Sequence, residues 1–327
     1  MKATTLRFLI LILSAVLIVA VVFAVKLDDP QPTQPQQMQS MPQSSTPSQS
    51  QPGSSAVTQP SSSVVTTPPV SDPPPTTVPP TSLSGEYIGS LYTREFLETL
   101  PSKSTGYGPD MNVDSKNRPT YAISLDKQYE KYDAHFICPD DGKVYLTYNL
   151  TYEHEGLVQK TLNILKEKNV QCVIFIDKSF AKNYPHMVRQ ILNDGHILAN
   201  HGTTHPDNLP SMPIDDMVNQ IMNIHNYVKE TYDYEMRLFR PPSGYYSERL
   251  LATAQSLGYR SYNWSFAYRD WDTSNQPDHA ATLKTMTNAL HSGAIYQLHA
   301  ISSTNEAILA DFIDAVRAQG LEFALLP

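Results

Sequence analysis

The chain has 327 residues, a formal net charge of −8 and a pI near 5.6. That balance argues against a nucleic-acid partner, which ordinarily draws a basic stripe. Composition is uneven: residues 1–28 are largely apolar, residues 29–84 are Pro, Ser, Thr and Gln with few large apolar side chains, and only the remainder can build a sizeable core.

Residues 8–25 form an apolar run broken only by Ser14, just long enough to cross a hydrocarbon layer as a helix. Lys2 and Arg7 precede it and Lys26, Asp28 and Asp29 follow. The positive-inside bias puts the N-terminus in the cytoplasm and the rest outside. Cleavage after Val22-Phe23-Ala24 is the rival expectation, and it too exports the domain. The run is expected to be a single-pass anchor, with the membrane as a partner. Residues 29–84 bury too little apolar area to offset chain entropy and read as an extended, disordered spacer.

Residues 85–140 read as an extension of the main domain, with a short helix at 95–100 and a loop-like to helical stretch at 121–132. Beyond residue 141 strands alternate with helices. The strands are expected at 143–149, 171–176, 196–200, 237–239, 259–264, 293–298 and 322–326. The helices are expected at 155–168, 185–193, 214–232, 247–257, 277–291 and 305–318, with Gly195, Gly258 and Gly320 as stops. Such alternation implies an α/β fold with a parallel sheet, either a distorted or incomplete (β/α) barrel or an open doubly wound sheet. Cys138 and Cys172 could pair outside the cytoplasm; alternatively Cys172 is a buried small hydrophobe.

Asn149, His201, His205, Arg240, Asp270 and His299 all fall at or after predicted strand ends, the active face of parallel β/α folds. His201 and His205 are four residues apart. On one helical turn they would share a face and chelate one cation; two ordinary loop histidines are the alternative. Arg240-Pro-Pro-Ser-Gly244 is a stiff turn whose backbone N–H groups can face a developing oxyanion. Asp270-Trp271 sets an acid beside an apolar wall, and a strand-end His299 can act as a general acid.

These pieces, in this order, resemble the polysaccharide deacetylase family, also called the NodB-homology domain or carbohydrate esterase family 4. The matching phrases are Lys131-Tyr-Asp-Ala134, His201-Gly-Thr-Thr-His-Pro-Asp207, Leu238-Phe-Arg-Pro-Pro242 and Gly293-Ala-Ile-Tyr-Gln-Leu-His-Ala300. The resemblance covers residues 132–326 and is nearest the branch that acts on muramic acid in peptidoglycan to make the δ-lactam. It implies hydrolysis of N-acetyl groups on peptidoglycan or a related N-acetylated glycan, assisted by a divalent metal, usually zinc, on His201 and His205. It also implies that Arg240 braces the base, the Ser243 amide helps hold the oxyanion, and Asp270 orients His299, which protonates the departing amine. Trp271 and Leu298 would wall the acetyl pocket. Gln297 stands where the family is usually apolar.

The first motif departs from the pattern. The family has Thr-Phe-Asp-Asp, and the muramic branch Thr-Phe-Asp-Asn-Gly-Tyr-Glu; this chain has Thr147-Tyr-Asn-Leu-Thr-Tyr-Glu153. Asn149 occupies the base position, where an amide cannot take the proton. Leu150 occupies the third-ligand position, leaving two His where catalytic zinc usually has three protein ligands. Glu153, His154 and Asp207 are the candidates to fill a lost role. Two readings follow: a deacetylase with a rearranged base, or a catalytically silent relative that still binds glycan. A glycoside hydrolase would need two facing carboxylates, and only Asp270 is well placed.

Overall fold

The computed structural model describes residues 91–109 and 112–327. The expected anchor at residues 8–25 and spacer at 29–84 lie outside them. Among the described residues no helix is long and apolar enough to cross a membrane.

The elements run, in chain order, α1 (Arg94–Thr99), β1 (Thr105–Gly106), α2 (Thr120–Tyr129), β2 (Ala134–His135), β3 (Lys143–Leu150), α3 (Leu157–Glu167), β4 (Val173–Ile176), α4 (Lys178–Asn183), α5 (Pro185–Asn193) and β5 (Ile197–Asn200). They continue with α6 (Ile214–Tyr232), β6 (Leu238–Phe239), β7 (Tyr245–Tyr246), α7 (Glu248–Ser256), β8 (Arg260–Tyr262), α8 (His279–Asn288), β9 (Ala294–His299), α9 (Ser303–Ala318) and β10 (Glu322–Phe323). The expected alternation is present. Eight strands form one parallel sheet in the order β10-β3-β4-β5-β6-β8-β2, with β9 branching off this order by pairing along β3. A parallel bridge from Phe266 to Tyr296 brings the chain after β8 against β9. The sheet therefore curls into an incomplete barrel, not an open doubly wound sheet.

Strand β3 shows why the site lies inside the curl. Successive side chains of a strand point to opposite faces. Val144, Leu146, Tyr148 and Leu150 join the core under the helices with Leu162 and Leu165 of α3. Tyr145 packs into the second, inner core, and Thr147 and Asn149 share its face. Helix α6 buries Ile214, Met217, Val218, Ile221, Ile224 and Val228, an apolar stripe at helical spacing.

Four elements were not expected: β1 and β7, which pair with each other as a separate antiparallel ribbon, and α4 and β2. Helix α4 is too short for periodicity to reveal; it is started by Asp177, whose side chain accepts from the Phe180 N–H. Strand β2, from the extension, adds an eighth strand by pairing with β8. The extension is tied down by polar contacts as well: Arg249 donates to the carbonyls of Leu97, Glu98 and Leu100 at the end of α1, where orphan carbonyls need partners. Where it meets β9 the backbones nearly touch. A Cβ on Gly293, at φ +79°, would stand 2.2 Å from the Cys138 carbonyl oxygen. Both cysteines are free and buried, Cys172 in the helix-facing core and Cys138 in the inner one. The opposite faces of the sheet keep them apart, and the expected alternative of a small buried hydrophobe is the outcome for Cys172.

Candidate active site

A cleft of about 990 Å³ opens at the C-terminal ends of the strands. Asn149, His201, His205, Ser243, Trp271 and His299 line it, and Arg240 and Asp270 lie buried directly behind. Of the residues anticipated for the site, Leu298 is the exception. Its neighbours Gln297 and His299 face the cleft, so strand alternation turns Leu298 into the helix-facing core, where it is 1 % exposed. Leu150 is turned into that core for the same reason.

Arg240 follows β6, where Pro241 and Pro242 stop the ladder. Its guanidinium is fully buried. Nε donates to the Tyr262 carbonyl at 2.9 Å, Nη2 to the Asn263 carbonyl at 3.0 Å, and Nη1 to Thr147 Oγ1 and Asn149 Oδ1, both at 2.9 Å. Phe175 lies beneath it, 4.0 Å from Cζ to the ring centre. Burial pulls its pKa well down, yet an arginine remains charged at neutral pH. All its partners are neutral, so the charge has dipoles but no carboxylate in contact. Because a guanidinium only donates, the Asn149 amide has one possible orientation. Oδ1 faces Arg240, and Nδ2 is left for the cleft.

His201 and His205 do not sit on a helical turn as anticipated. They occupy a loop folded back by positive φ at Gly202 (85°) and at His205 (55°), a conformation rare for a residue with a side chain. The turn brings the two Nε2 atoms to 3.2 Å. His201 Nδ1 lies 2.8 Å from the Arg240 carbonyl; it must donate there, which leaves Nε2 with a free lone pair. Burial depresses the pKa of both imidazoles, with mutual repulsion adding to it for His201. Neutral imidazoles are what a cation requires. Two nitrogens on one tetrahedral zinc would stand about 3.3 Å apart at ordinary bond lengths, so this pair fits as two ligands. Among the described residues no three His, Cys, Asp or Glu side chains are gathered around one point.

On the other side of the cleft, His299 Nδ1 donates to Asp270 Oδ1 at 2.7 Å, which turns Nε2 to the cleft, where the Gln297 amide nitrogen lies 3.4 Å from it. Asp270 is completely buried and fully engaged. Its Oδ2 accepts from the His299 backbone N–H at 2.7 Å and from Asn305 Nδ2 at 2.6 Å. The Tyr268 hydroxyl in turn donates to Asn305 Oδ1. Asn305 and Tyr268 were not anticipated; the available signal was the Ser302 cap that starts α9 and delivers Asn305 beneath the strand end. Trp271 stands edge-on to His299 at 6.0 Å and is half exposed.

Ser243 adopts φ 54° in the turn after Pro242, and its hydroxyl donates to Asp207 at 2.6 Å. Gly244 is obligatory there: a Cβ would meet Trp264 at 2.6 Å. Of the three candidates for a lost role, only Asp207 lines the cleft. Glu153 instead accepts from the Val158 N–H at the start of α3, and His154 points toward Glu155 at 4.0 Å. Asp177, passed over in the sequence, does line the cleft. It is 5 % exposed, and burial raises its pKa while nearby His205 opposes the shift.

Comparison with known proteins agrees with this geometry. A sequence model of the family described as polysaccharide deacetylase matches residues 137–262. The peptidoglycan-N-acetylmuramic acid deacetylase PdaA of Bacillus subtilis (strain 168) is 32 % identical over 228 residues, 69 % of this chain and 86 % of that protein. A peptidoglycan-N-acetylglucosamine deacetylase of Bacillus cereus is 25 % identical over 247 residues, 73 % and 86 % of the two chains. The solved structure of Bacillus subtilis PdaA, a family 4 carbohydrate esterase, superposes with a TM-score of 0.65 at 30 % identity, over 69 % of this chain and 96 % of that one.

Proposed function

The chain belongs to the polysaccharide deacetylase family, and from that premise we propose that it hydrolyses N-acetyl groups on peptidoglycan or a closely related glycan. The observation that carries the reading is the facing of two pairs across one cleft: the Nε2 pair of His201 and His205, and His299 backed by Asp270. The exposed aromatic rings of Tyr152, Tyr245 and Trp271 also line this cleft, apolar faces suited to the flat sides of sugar rings. The domain acts outside the cell, tethered through residues 8–25.

In the reaction a water oxygen bonds to the acetyl carbon and the amide C–N bond breaks, leaving acetate and a free amine on the sugar. A divalent cation on the two imidazoles would supply Lewis-acid polarisation of the acetamide carbonyl and acidify water. The protein does the rest. Asp270 holds the proton of His299 on Nδ1 and stabilises the imidazolium, so that Nε2 can deliver a proton to the departing nitrogen. The loop at Ser243 lies beside the histidine pair and is the place for an oxyanion donor.

Asn149 is the observation favouring the silent, glycan-binding alternative. It presents an N–H where a base belongs, and removing a general base costs on the order of 10²–10⁴-fold. Acetate release from purified peptidoglycan and from chitooligosaccharide, comparing the full chain with His299→Ala, tests the proposal. Release that depends on His299 supports it. Glycan binding with no release above the His299→Ala background overturns it in favour of the silent reading.

A further inference from the structure

We propose that the ribbon of β1 and β7 forms a second sugar subsite beside the reacting position, so that the cleft takes a stretch of glycan chain and not a single sugar. Its ligand is the ring next to the one that carries the reacting acetyl group. The inference rests on the reading of the cleft as a site for N-acetylated glycan and deepens it. Strand β1 lies outside residues 137–262, the segment matched by the family model, so half of this subsite comes from the extension.

Three observations carry the inference. The first is how the extension is anchored at the cleft. Thr105 pairs with Tyr246 and Gly106 with Tyr245 in antiparallel register. The Tyr107 N–H then donates to the Gly244 carbonyl at 3.0 Å, and its hydroxyl donates to the Trp264 carbonyl at 2.6 Å. Tyr107 is itself buried, its ring edge-on to Phe136 at 4.8 Å. Residues 107–109 therefore line the cleft as a fixed wall, and a site on fixed backbone is more precise than one on a loose loop.

The second is the Tyr245 ring. It packs over Gly106, where a Cβ would stand 3.1 Å from Cε1 and 3.5 Å from Cδ1. Covering a cross-strand glycine is by itself a structural use of an aromatic ring, and that use buries the ring. Tyr245 instead keeps 38 % of its surface exposed and lines the cleft. A tyrosine held on one side offers amphipathic contact area at little further cost in conformational entropy.

The third is placement. Trp271 stands beside His299 on the acid side of the cleft. Tyr245 follows Gly244 in the turn whose Ser243 hydroxyl donates to Asp207, two residues beyond His205 on the opposite side. The two exposed rings thus flank the position between the histidine pair and His299. The cleft volume of about 990 Å³ lies at the top of the range of roughly 300–1,000 Å³ for small-ligand sites, which leaves room beyond the reacting sugar.

Binding would be measured by calorimetry on the full chain, with N-acetylmuramic acid and with peptide-free disaccharide and tetrasaccharide fragments of peptidoglycan. The unaltered chain should bind the tetrasaccharide at least about tenfold more tightly than the monosaccharide, the scale of one aromatic anchor. Tyr245→Ala should remove most of that ratio. Gly106→Val should do the same by displacing the ring without removing it, and Tyr245→Phe should keep the ratio. Thermal melting checks that each variant is folded. An affinity that does not rise with chain length, or a ratio that Tyr245→Ala leaves intact, overturns the inference. A gain with length that is lost in Tyr245→Ala, without acetate release, keeps the subsite while the deacetylase reading falls. Acetate release from the tetrasaccharide with no dependence of affinity on length does the reverse.

Discussion

The two sides of the cleft are built to different standards. Around His299 each polar partner is answered: Asp270 takes donors from His299 Nδ1, the His299 backbone and Asn305, and Asn305 is held by Tyr268. Around Arg240 the hydrogen bonds are equally numerous, but every acceptor is neutral. The lesson is that satisfying hydrogen bonds and neutralising charge are separate requirements. The acid side meets the first and, whenever His299 carries a second proton, the second as well. The base side meets only the first, because Asn149 copies the shape of an aspartate and not its charge.

The largest expected effect breaks the acid side. His299→Ala should lower acetate release by roughly 10²–10⁴-fold with the fold intact, read as kcat on a soluble glycan. Asp270→Asn should follow it, since the amide leaves His299 without a charged partner. The base side should respond in the opposite direction. Asn149→Asp places a carboxylate against the buried Arg240 and a base in the cleft. Release should rise by up to the same 10²–10⁴-fold, and unfolding in urea should show about 3 kcal/mol of added stability, the scale of an uncompensated buried charge. A gain in stability without a gain in rate would separate the two roles of that position.

A smaller effect concerns acid. Burial lowers the pKa of His196, His201, His205, His225 and His291. Below the ordinary histidine pKa of about 6.5 the unfolded chain takes up protons that the folded chain refuses, so stability should fall as pH drops from there toward the depressed values. His135, raised by hydrogen bonds to Asp126 and Asp133 although burial opposes them, works the other way below its folded pKa. Five groups against one predict a lower melting temperature at pH 5.5 than at 7.5. The smallest effect is at the rim. Trp271→Ala, at a half-exposed side chain, should leave stability within about 0.5 kcal/mol and raise KM more than it lowers kcat, as expected for loss of uniform substrate binding.

The strand–helix alternation and the residues of the acid side were legible because they are local. Apolar periodicity reports which face of an element is buried, and a polar residue at a strand end reports the mouth of the sheet. The same rule of alternation, applied strictly, would have removed Leu298 from the cleft, since it stands between Gln297 and His299 on a single strand. Asp177 was passed over because its signal, an acid after an apolar run, is also the ordinary signature of a helix cap. Helix α4 and strand β2 escaped because each spans fewer than two repeats of the period that would disclose it.

By itself the sequence determined the kind of fold, the order of the site residues and the loss of an acid at position 149, all of which follow from side-chain chemistry and spacing along the chain. Only the tertiary structure decided that Arg240 locks the Asn149 amide with its N–H toward the cleft, that a left-handed turn at His205 closes two imidazoles to 3.2 Å, and that Asp177 lines the cleft. Those outcomes depend on strand register and on contacts between residues far apart in the chain, which no local pattern encodes.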